Sequence, residues 1–125
     1  DWARGARATR DLPLGLFGAS TGAAAALVAA AERPADVRAV VSRGGRPDLA
    51  RPVLAAVRAP TLLIVGGADH GVIELNEQAL SQLHCEKRLD IVPGATHLFE
   101  EAGALEQVVA AAGDWFLEYL GPPDP

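Results

Sequence analysis

The feature that most constrains this chain is residues 14–22, where a short apolar run ends in Gly-x-Ser-x-Gly and leads directly into an alanine-rich stretch. This pattern predicts a strand, a tight turn at Ser20 and a helix, with Gly18 and Gly22 allowing strand and helix to approach closely. The serine backbone in such a turn is strained, and its hydroxyl is exposed above the end of the strand. We therefore expect residues 14–22 to form a nucleophile elbow.

Strands and helices alternate along the rest of the chain. Further strands are predicted at residues 39–42, 61–65 and 88–92, and helices at 1–10, 23–32, 48–57, 74–83 and 103–120. This alternation predicts a parallel sheet covered by helices on both faces, that is, a three-layer α/β/α fold. We expect residues 1–125 to belong to one domain. The last helix is predicted to bury one apolar face, made of Leu105, Val108, Val109, Ala112, Phe116 and Leu120.

Three residue types that work together in nucleophilic catalysis follow three different predicted strands. Ser20 follows the first strand, Asp69 the third and His97 the fourth. Parallel strands bring their carboxyl ends to one edge of the sheet, so we expect these side chains to meet there. A serine hydroxyl needs a base to take its proton, and the base needs a carboxylate to orient it. The order Ser, Asp, His is the one expected for an α/β-hydrolase arrangement.

Other polar residues near this edge have simpler alternatives. Asp48 is a competing acid, although its position favours capping the following helix. Arg43 and Arg46 belong either to a solvated loop or to a clamp for a substrate carboxylate or phosphate. His70 adjoins Asp69, and we expect it to line the pocket.

Composition narrows the classes of partner and compartment. The formal net charge is −5 and the 11 basic residues are scattered, so neither nucleic acid nor an anionic membrane surface is an expected partner. The longest apolar stretch is far shorter than the roughly 20 residues of a membrane span, and we recognise no leader peptide. Cys85 is the single cysteine, which excludes an internal disulfide and fits a reducing cytosol. With His84 it lacks the further ligands of a metal site. We predict a cytoplasmic protein.

Three segments resemble the signature blocks of α/β-hydrolases, most closely the dienelactone hydrolase-like branch. They are Gly18-Ala-Ser-Thr-Gly22, Val65-Gly-Gly-Ala-Asp69 with Val72, and Pro93-Gly-Ala-Thr-His97-Leu-Phe99. The branch includes bacterial members encoded beside or fused to phosphoribosyltransferases. The resemblance implies a serine hydrolase for esters, thioesters or related acyl bonds, with Ser20 as nucleophile, His97 as base and Asp69 as its orienting acid. It implies no metal or organic cofactor.

The chain departs from this family pattern in two respects. Dienelactone hydrolases proper use a cysteine nucleophile where this chain has Ser20, so their lactone substrate is not carried over.

The short segment between the second and third strands leaves no room for a large lid, which favours small or polar acyl substrates.

The second departure is that family members have several strands before the elbow, including a loop that supplies one of two oxyanion-hole amides. The chain therefore resembles a C-terminal half of the domain, in which the Thr21 amide is the one oxyanion donor present. We expect weak catalysis and an exposed elbow strand that pairs with another copy or with a missing N-terminal half. The alternatives to an enzyme are a structural or interaction module, or a domain accessory to a phosphoribosyltransferase.

Overall fold

The computed structural model describes residues 14–121, so the helix predicted for residues 1–10 lies outside the described residues. Strands and helices alternate as the sequence predicts. In chain order they are β1 (Leu14–Ala19), α1 (Thr21–Glu32), β2 (Val37–Arg43), a 3-10 helix (Pro47–Ala56), β3 (Thr61–Gly66), α2 (His70–Gln82), β4 (Lys87–Val92) and α3 (Ala104–Leu120).

The strands form one parallel four-stranded sheet in the order β1-β2-β3-β4. Ala19 pairs with Arg43, Arg43 with Ile64, and Gly66 with Val92, so the carboxyl ends of all four strands lie along one edge. All six residues of β3 are buried, as predicted for an apolar strand covered on both faces. The predicted α/β fold with a parallel sheet is confirmed.

Helices cover both faces of this sheet. On one face, α1, the 3-10 helix and α2 pack against residues such as Val40 and Leu63. On the other face, α3 packs against Val41, Leu62 and Ile64. Neighbouring residues of β3 thus enter different cores, because successive strand side chains point to opposite faces. The result is the three-layer arrangement predicted from the sequence.

The buried face of α3 differs from the predicted one. Leu105 and Val109 are 49% and 65% exposed, whereas Trp115 is only 7% exposed and its indole N–H donates to the carbonyl of Pro60 at 3.2 Å. The helix is therefore rotated so that the large aromatic side chain enters the core. Burying a tryptophan removes more apolar surface from water than burying a valine, and this outweighs the simple helical pattern.

The segment after β2 forms a 3-10 helix in place of the ordinary helix expected there. Pro52 lies inside it and has no backbone N–H, which an α-helix interior would need. Among residues 14–121, no helix is long and apolar enough to cross a membrane. The cytoplasmic compartment stays a prediction.

The two glycines of the elbow have different roles. A Cβ atom at Gly18 would lie 2.6 Å from the Cα of Ala23, inside the backbone of α1. A Cβ atom at Gly22 would meet nothing within 4 Å among the described residues. The close approach of β1 and α1 therefore requires Gly18 only, and the expectation that Gly22 serves the same purpose is wrong.

We expect Gly18→Ala to lower the free energy of unfolding by about 3 kcal/mol, because the added methyl group meets backbone that cannot move aside. Gly22→Ala is the matched control. It lies within α1, where alanine is the better helix former, so stability should stay equal or rise by about 0.5 kcal/mol. Urea unfolding of both variants measures the difference, and equal stabilities would contradict this packing.

Candidate active site

Ser20 occupies a strained turn between β1 and α1. Its backbone has φ 51° and ψ −123°, a region that residues other than glycine rarely adopt. The Ser20 N–H donates to the carbonyl of Arg43 at 3.2 Å, and its own carbonyl accepts from the N–H groups of Arg46 (3.1 Å) and Ala23 (3.2 Å). The loop after β2 and the first turn of α1 therefore hold the serine in this conformation.

Three side chains meet in series at the carboxyl edge of the sheet. Ser20 Oγ lies 2.8 Å from His97 Nε2, and His97 Nδ1 lies 2.9 Å from Asp69 Oδ2. A carboxylate can only accept, so Nδ1 of a neutral imidazole carries the proton and donates it to Asp69. Nε2 is then left to accept from the serine hydroxyl. The sequence-predicted nucleophile, base and acid are thus brought together.

Asp69 lies three residues beyond the end of β3, at the N-terminus of α2. Its side chain makes no capping hydrogen bond to that helix, which leaves the carboxylate for His97. Its backbone N–H donates to the carbonyl of Gly66 at 3.0 Å, and the N–H of Gly67 donates to Val92 at 2.8 Å. The turn that carries the acid is therefore fixed to both β3 and β4.

The loop that carries His97 packs directly on the turn that carries Asp69. The Ala68 N–H donates to the carbonyl of Ala95 at 2.9 Å. A Cβ atom at Gly66 would overlap that same carbonyl oxygen, so the two loops lie as close as their backbones allow. This contact fixes the relative position of acid and base.

Gly44 lies against the imidazole of His97, a role that the sequence analysis missed. A Cβ atom there would be 3.3 Å from His97 Nδ1 and Cε1, and the residue has φ +54°. Both the backbone conformation and the narrow space favour glycine. The signal in the sequence was the Gly44-Gly45 pair directly after a strand, but it gave no indication of which side chain would lie there.

Asn76 is a second residue that the sequence analysis missed. Its side chain is fully buried in α2, and Nδ2 donates to the carbonyls of Val72 (2.8 Å) and Gly45 (3.1 Å). It thereby attaches the helix that begins after Asp69 to the loop that holds Ser20. A single asparagine on a mostly polar helix carries no pattern that would have revealed this.

The loop between β4 and α3 is fixed on both sides of His97. On the C-terminal side, Phe99 is 2% exposed in the core and has φ +56°, with the Arg43 guanidinium 5.6 Å from its ring centroid. On the N-terminal side, the Glu101 carboxylate accepts from the Thr96 N–H at 3.0 Å and from the Thr96 hydroxyl at 2.7 Å. These hydrogen bonds hold the pKa of Glu101 below its usual value. His97 lies between the two attachments.

The other predicted site residues lie at the same edge but outside this series. Arg46 donates through two nitrogens to Asp48, each at 2.9 Å, and this pairing lowers the pKa of the Asp48 carboxyl. Asp48 forms no side-chain cap and does not contact His97, whose partner is Asp69. His70, the first residue of α2, is exposed. Substrate binding by Arg43, Arg46 and His70 stays a prediction.

Cys85 lies at the opposite end of the sheet. Its Sγ is 3.8 Å from Oγ1 of Thr61, the first residue of β3, and burial raises the pKa of its thiol. Such a thiol is a poor nucleophile, in line with an inert role. Within residues 14–121, no group of three or more histidine, cysteine or acidic side chains is placed to hold a metal ion.

A parallel sheet with a serine in a strained turn after its first strand, an acid after its third and a histidine after its fourth has the arrangement of the α/β-hydrolase fold. Two solved structures of low identity share this fold. The esterase domain of a Rhodothermus marinus protein has a TM-score of 0.80 at 22% identity, covering 96% of this chain and 67% of that one. The monoacylglycerol lipase of Paleococcus ferrophilus has a TM-score of 0.73 at 18% identity, covering 86% and 69%.

The chain belongs to the Dienelactone hydrolase family, which it matches over residues 2–120. A dienelactone hydrolase from Anabaena variabilis is 61% identical, with a TM-score of 0.92; the match covers 95% of this chain and 55% of that one. Two Mycobacterium tuberculosis proteins, from strains CDC 1551 and H37Rv and provisionally named phosphoribosyl transferases, are each 62% identical over 117 residues. That match covers 94% of this chain and 26% of the Mycobacterium proteins.

Proposed function

We propose that this chain carries the catalytic residues of a serine hydrolase that cleaves an ester, thioester or related acyl bond. The observation that carries the proposal is the continuous series from Ser20 Oγ through the His97 imidazole to Asp69 Oδ2, with distances of 2.8 Å and 2.9 Å. The membership of the chain in a hydrolase family supports the same function. The hydrogen-bond order matches the roles of nucleophile, base and orienting acid.

The reaction follows from the direction of these hydrogen bonds. Ser20 Oγ attacks the acyl carbon while His97 Nε2 takes the hydroxyl proton. The same proton passes to the leaving alcohol or thiol as the acyl–oxygen or acyl–sulfur bond breaks, which leaves an acyl ester on Ser20. A water molecule, activated by His97, then attacks this ester and restores the serine. Asp69 keeps Nδ1 protonated and stabilises the imidazolium that forms during both acylation and deacylation.

The oxyanion of the tetrahedral intermediate requires hydrogen-bond donors beside Ser20. Thr21 is the first residue of α1, so its backbone N–H has no acceptor within the helix and is directed to the space beyond its end. We assign one oxyanion contact to this amide. The α/β-hydrolase pattern takes its second amide from a loop that precedes the elbow.

Labelling with a fluorophosphonate probe tests the assignment of Ser20. The protein expressed from its complete reading frame should be labelled at Ser20, because the serine oxygen displaces fluoride from the probe and forms a phosphonate ester. Ser20→Ala should abolish the label. Ser81→Ala is the matched control, because Ser81 is exposed on α2 and its hydroxyl donates to a helix carbonyl. Labelling that survives in Ser20→Ala would exclude this function.

The expected substrates are small or polar acyl compounds. The connection between β2 and β3 contains only the 3-10 helix and short loops, with no segment long enough to form a large lid. Three polar side chains lie near the same edge of the sheet and would contact the polar part of such a substrate: Arg43, Arg46 and His70. Activity confined to esters of long-chain fatty acids would contradict this substrate class.

A second candidate function is association through the outer edge of β1, which pairs only with β2 among the described strands. Phe17 on this strand is 51% exposed, and Leu117 on α3 is 66% exposed. An apolar strand edge favours pairing with a further strand, either from the N-terminal half of a hydrolase domain or from another copy of this chain. The chain spans 55% of the Anabaena enzyme, which favours the first partner. On this reading the described residues form an interaction module that is catalytically complete only when paired.

The names of the Mycobacterium relatives support a further role for the whole protein. The chain covers 26% of their length, so a different activity could reside in the remaining part. In that arrangement the hydrolase domain would act on the substrate or product of a phosphoribosyltransferase.

A further inference from the structure

The residue directly before His97 is held by a carboxylate that has no part in the proposed reaction. Glu101 Oε1 accepts from the Thr96 N–H at 3.0 Å, and Oε2 accepts from the Thr96 hydroxyl at 2.7 Å. Both oxygens of one carboxylate are therefore used on one residue. Two bonds to one carboxylate restrict both distance and orientation, as a single bond does not.

These bonds join the two sides of the loop that carries His97, from Thr96 to Glu101, into a closed ring. Within it the Phe99 N–H donates to the Thr96 carbonyl at 3.1 Å, and beyond it the Ala104 N–H donates to the Glu101 carbonyl at 3.0 Å. The Glu101 carboxylate thus connects the peptide before His97 to the residue that begins the turn into α3. The position of the imidazole is thereby fixed relative to the N-terminal end of α3, which is packed against the sheet.

His97 itself has no comparable support from its C-terminal neighbour. Leu98 is 59% exposed, and the next fixed point is Phe99. The imidazole is 40% exposed, so packing alone encloses less than two-thirds of it. The hydrogen bonds to Thr96 are consequently the nearest polar restraint on the His97 backbone on its N-terminal side.

The geometry points to Glu101 as a positioning residue that keeps the His97 imidazole within hydrogen-bond reach of both Ser20 and Asp69. This inference rests on the proposed serine hydrolase function and adds to it a residue outside the triad. The hydrogen bonds of the Glu101 carboxylate go to Thr96, so its effect passes through the Thr96 backbone and hydroxyl.

A positioning role predicts a specific kinetic result. A displacement of a catalytic group by about 1 Å can cost on the order of a hundredfold in rate. Glu101→Ala should therefore lower kcat and the rate of fluorophosphonate labelling by about 10- to 100-fold. KM should stay unchanged, because the carboxylate is not assigned a contact with substrate. Glu101→Gln, whose amide oxygen can accept one of the two bonds, should lie between wild type and alanine.

The proton NMR resonance of the His97 Nδ1–H gives a readout that does not depend on turnover. In wild type the hydrogen bond to Asp69 should give a sharp low-field signal, and in Glu101→Ala this signal should broaden or vanish. Thr96→Val should reproduce part of the effect, because it removes the hydroxyl but keeps the branched shape. Thr96→Ser restores the hydroxyl and should return to wild type.

Glu100→Ala is the matched control, since Glu100 is an exposed neighbour of the same charge whose carboxylate accepts no hydrogen bond from residues 14–121. It should label and melt as wild type does. The inference is overturned if Glu101→Ala labels at the wild-type rate with its resonance intact, or if its loss only follows a loss of melting temperature. If wild type itself fails to label, the proposed function fails, whereas the resonance still decides whether Glu101 positions His97.

Discussion

His97→Ala is expected to lower kcat of the complete hydrolase by about a millionfold, the scale of loss found when the base of a serine triad is removed. The reason is that His97 Nε2 lies 2.8 Å from Ser20 Oγ and is the base that residues 14–121 place at this hydroxyl. Steady-state hydrolysis of a small activated ester, such as an aryl acetate, measures the effect.

The double variant Ser20→Ala/His97→Ala makes this prediction sharper. Residues that act as one unit are not additive, so the double variant should be no slower than either single variant. His84→Ala is the control, because His84 lies beyond the end of α2, next to Cys85 at the far end of the sheet. A further large loss in the double variant would show that the two side chains act separately.

We expect the 125-residue chain to turn over substrate about 100- to 1,000-fold more slowly alone than together with the strands that precede the elbow in the α/β-hydrolase pattern, because that pattern takes one oxyanion donor from the preceding part. We assign one oxyanion contact to the Thr21 amide, and the α/β-hydrolase pattern takes the other from a loop that precedes the elbow. Expressing the 125-residue chain with and without the N-terminal portion of the domain, and comparing kcat, measures the difference.

Two variants test whether this portion joins at the edge of β1. Phe17→Glu places a charge on that edge and should prevent activation of the separate chain. Ile91→Glu is the matched control, because Ile91 is 46% exposed on β4, at the opposite edge of the sheet. Equal activation of both variants would contradict pairing through β1, and full activity of the chain alone would remove the need for a second donor.

Local pattern identified Ser20, Asp69 and His97 because each follows an apolar strand, and strand order alone brings such positions to one edge of a parallel sheet. The same reasoning did not find Glu101, Gly44 or Asn76. The roles of Gly44 and Asn76 depend on contacts between segments that approach only after folding. Glu101 and Thr96 lie in one loop, but no periodicity records the contact between them.

Pattern was also insufficient where the sequence fits two local arrangements. The apolar residues of α3 fit more than one rotation of the helix, and the bulk of Trp115 selected the observed one. The two elbow glycines look equivalent in the sequence, yet only Gly18 faces the α1 backbone. Whether a position tolerates a side chain depends on which atoms lie across from it, and that is set by packing.

The amino-acid sequence by itself determined the alternation of strands and helices, and with it the parallel sheet and the edge at which three reactive side chains gather. Hydrophobic periodicity and turn residues act over a few neighbours, so they can be read without coordinates. The tertiary structure alone decided the polar partners that the sequence did not predict: Arg46 for Asp48, and Glu101 for Thr96. Hydrogen bonds depend on tenths of an ångström and on direction, and only the packed chain sets these.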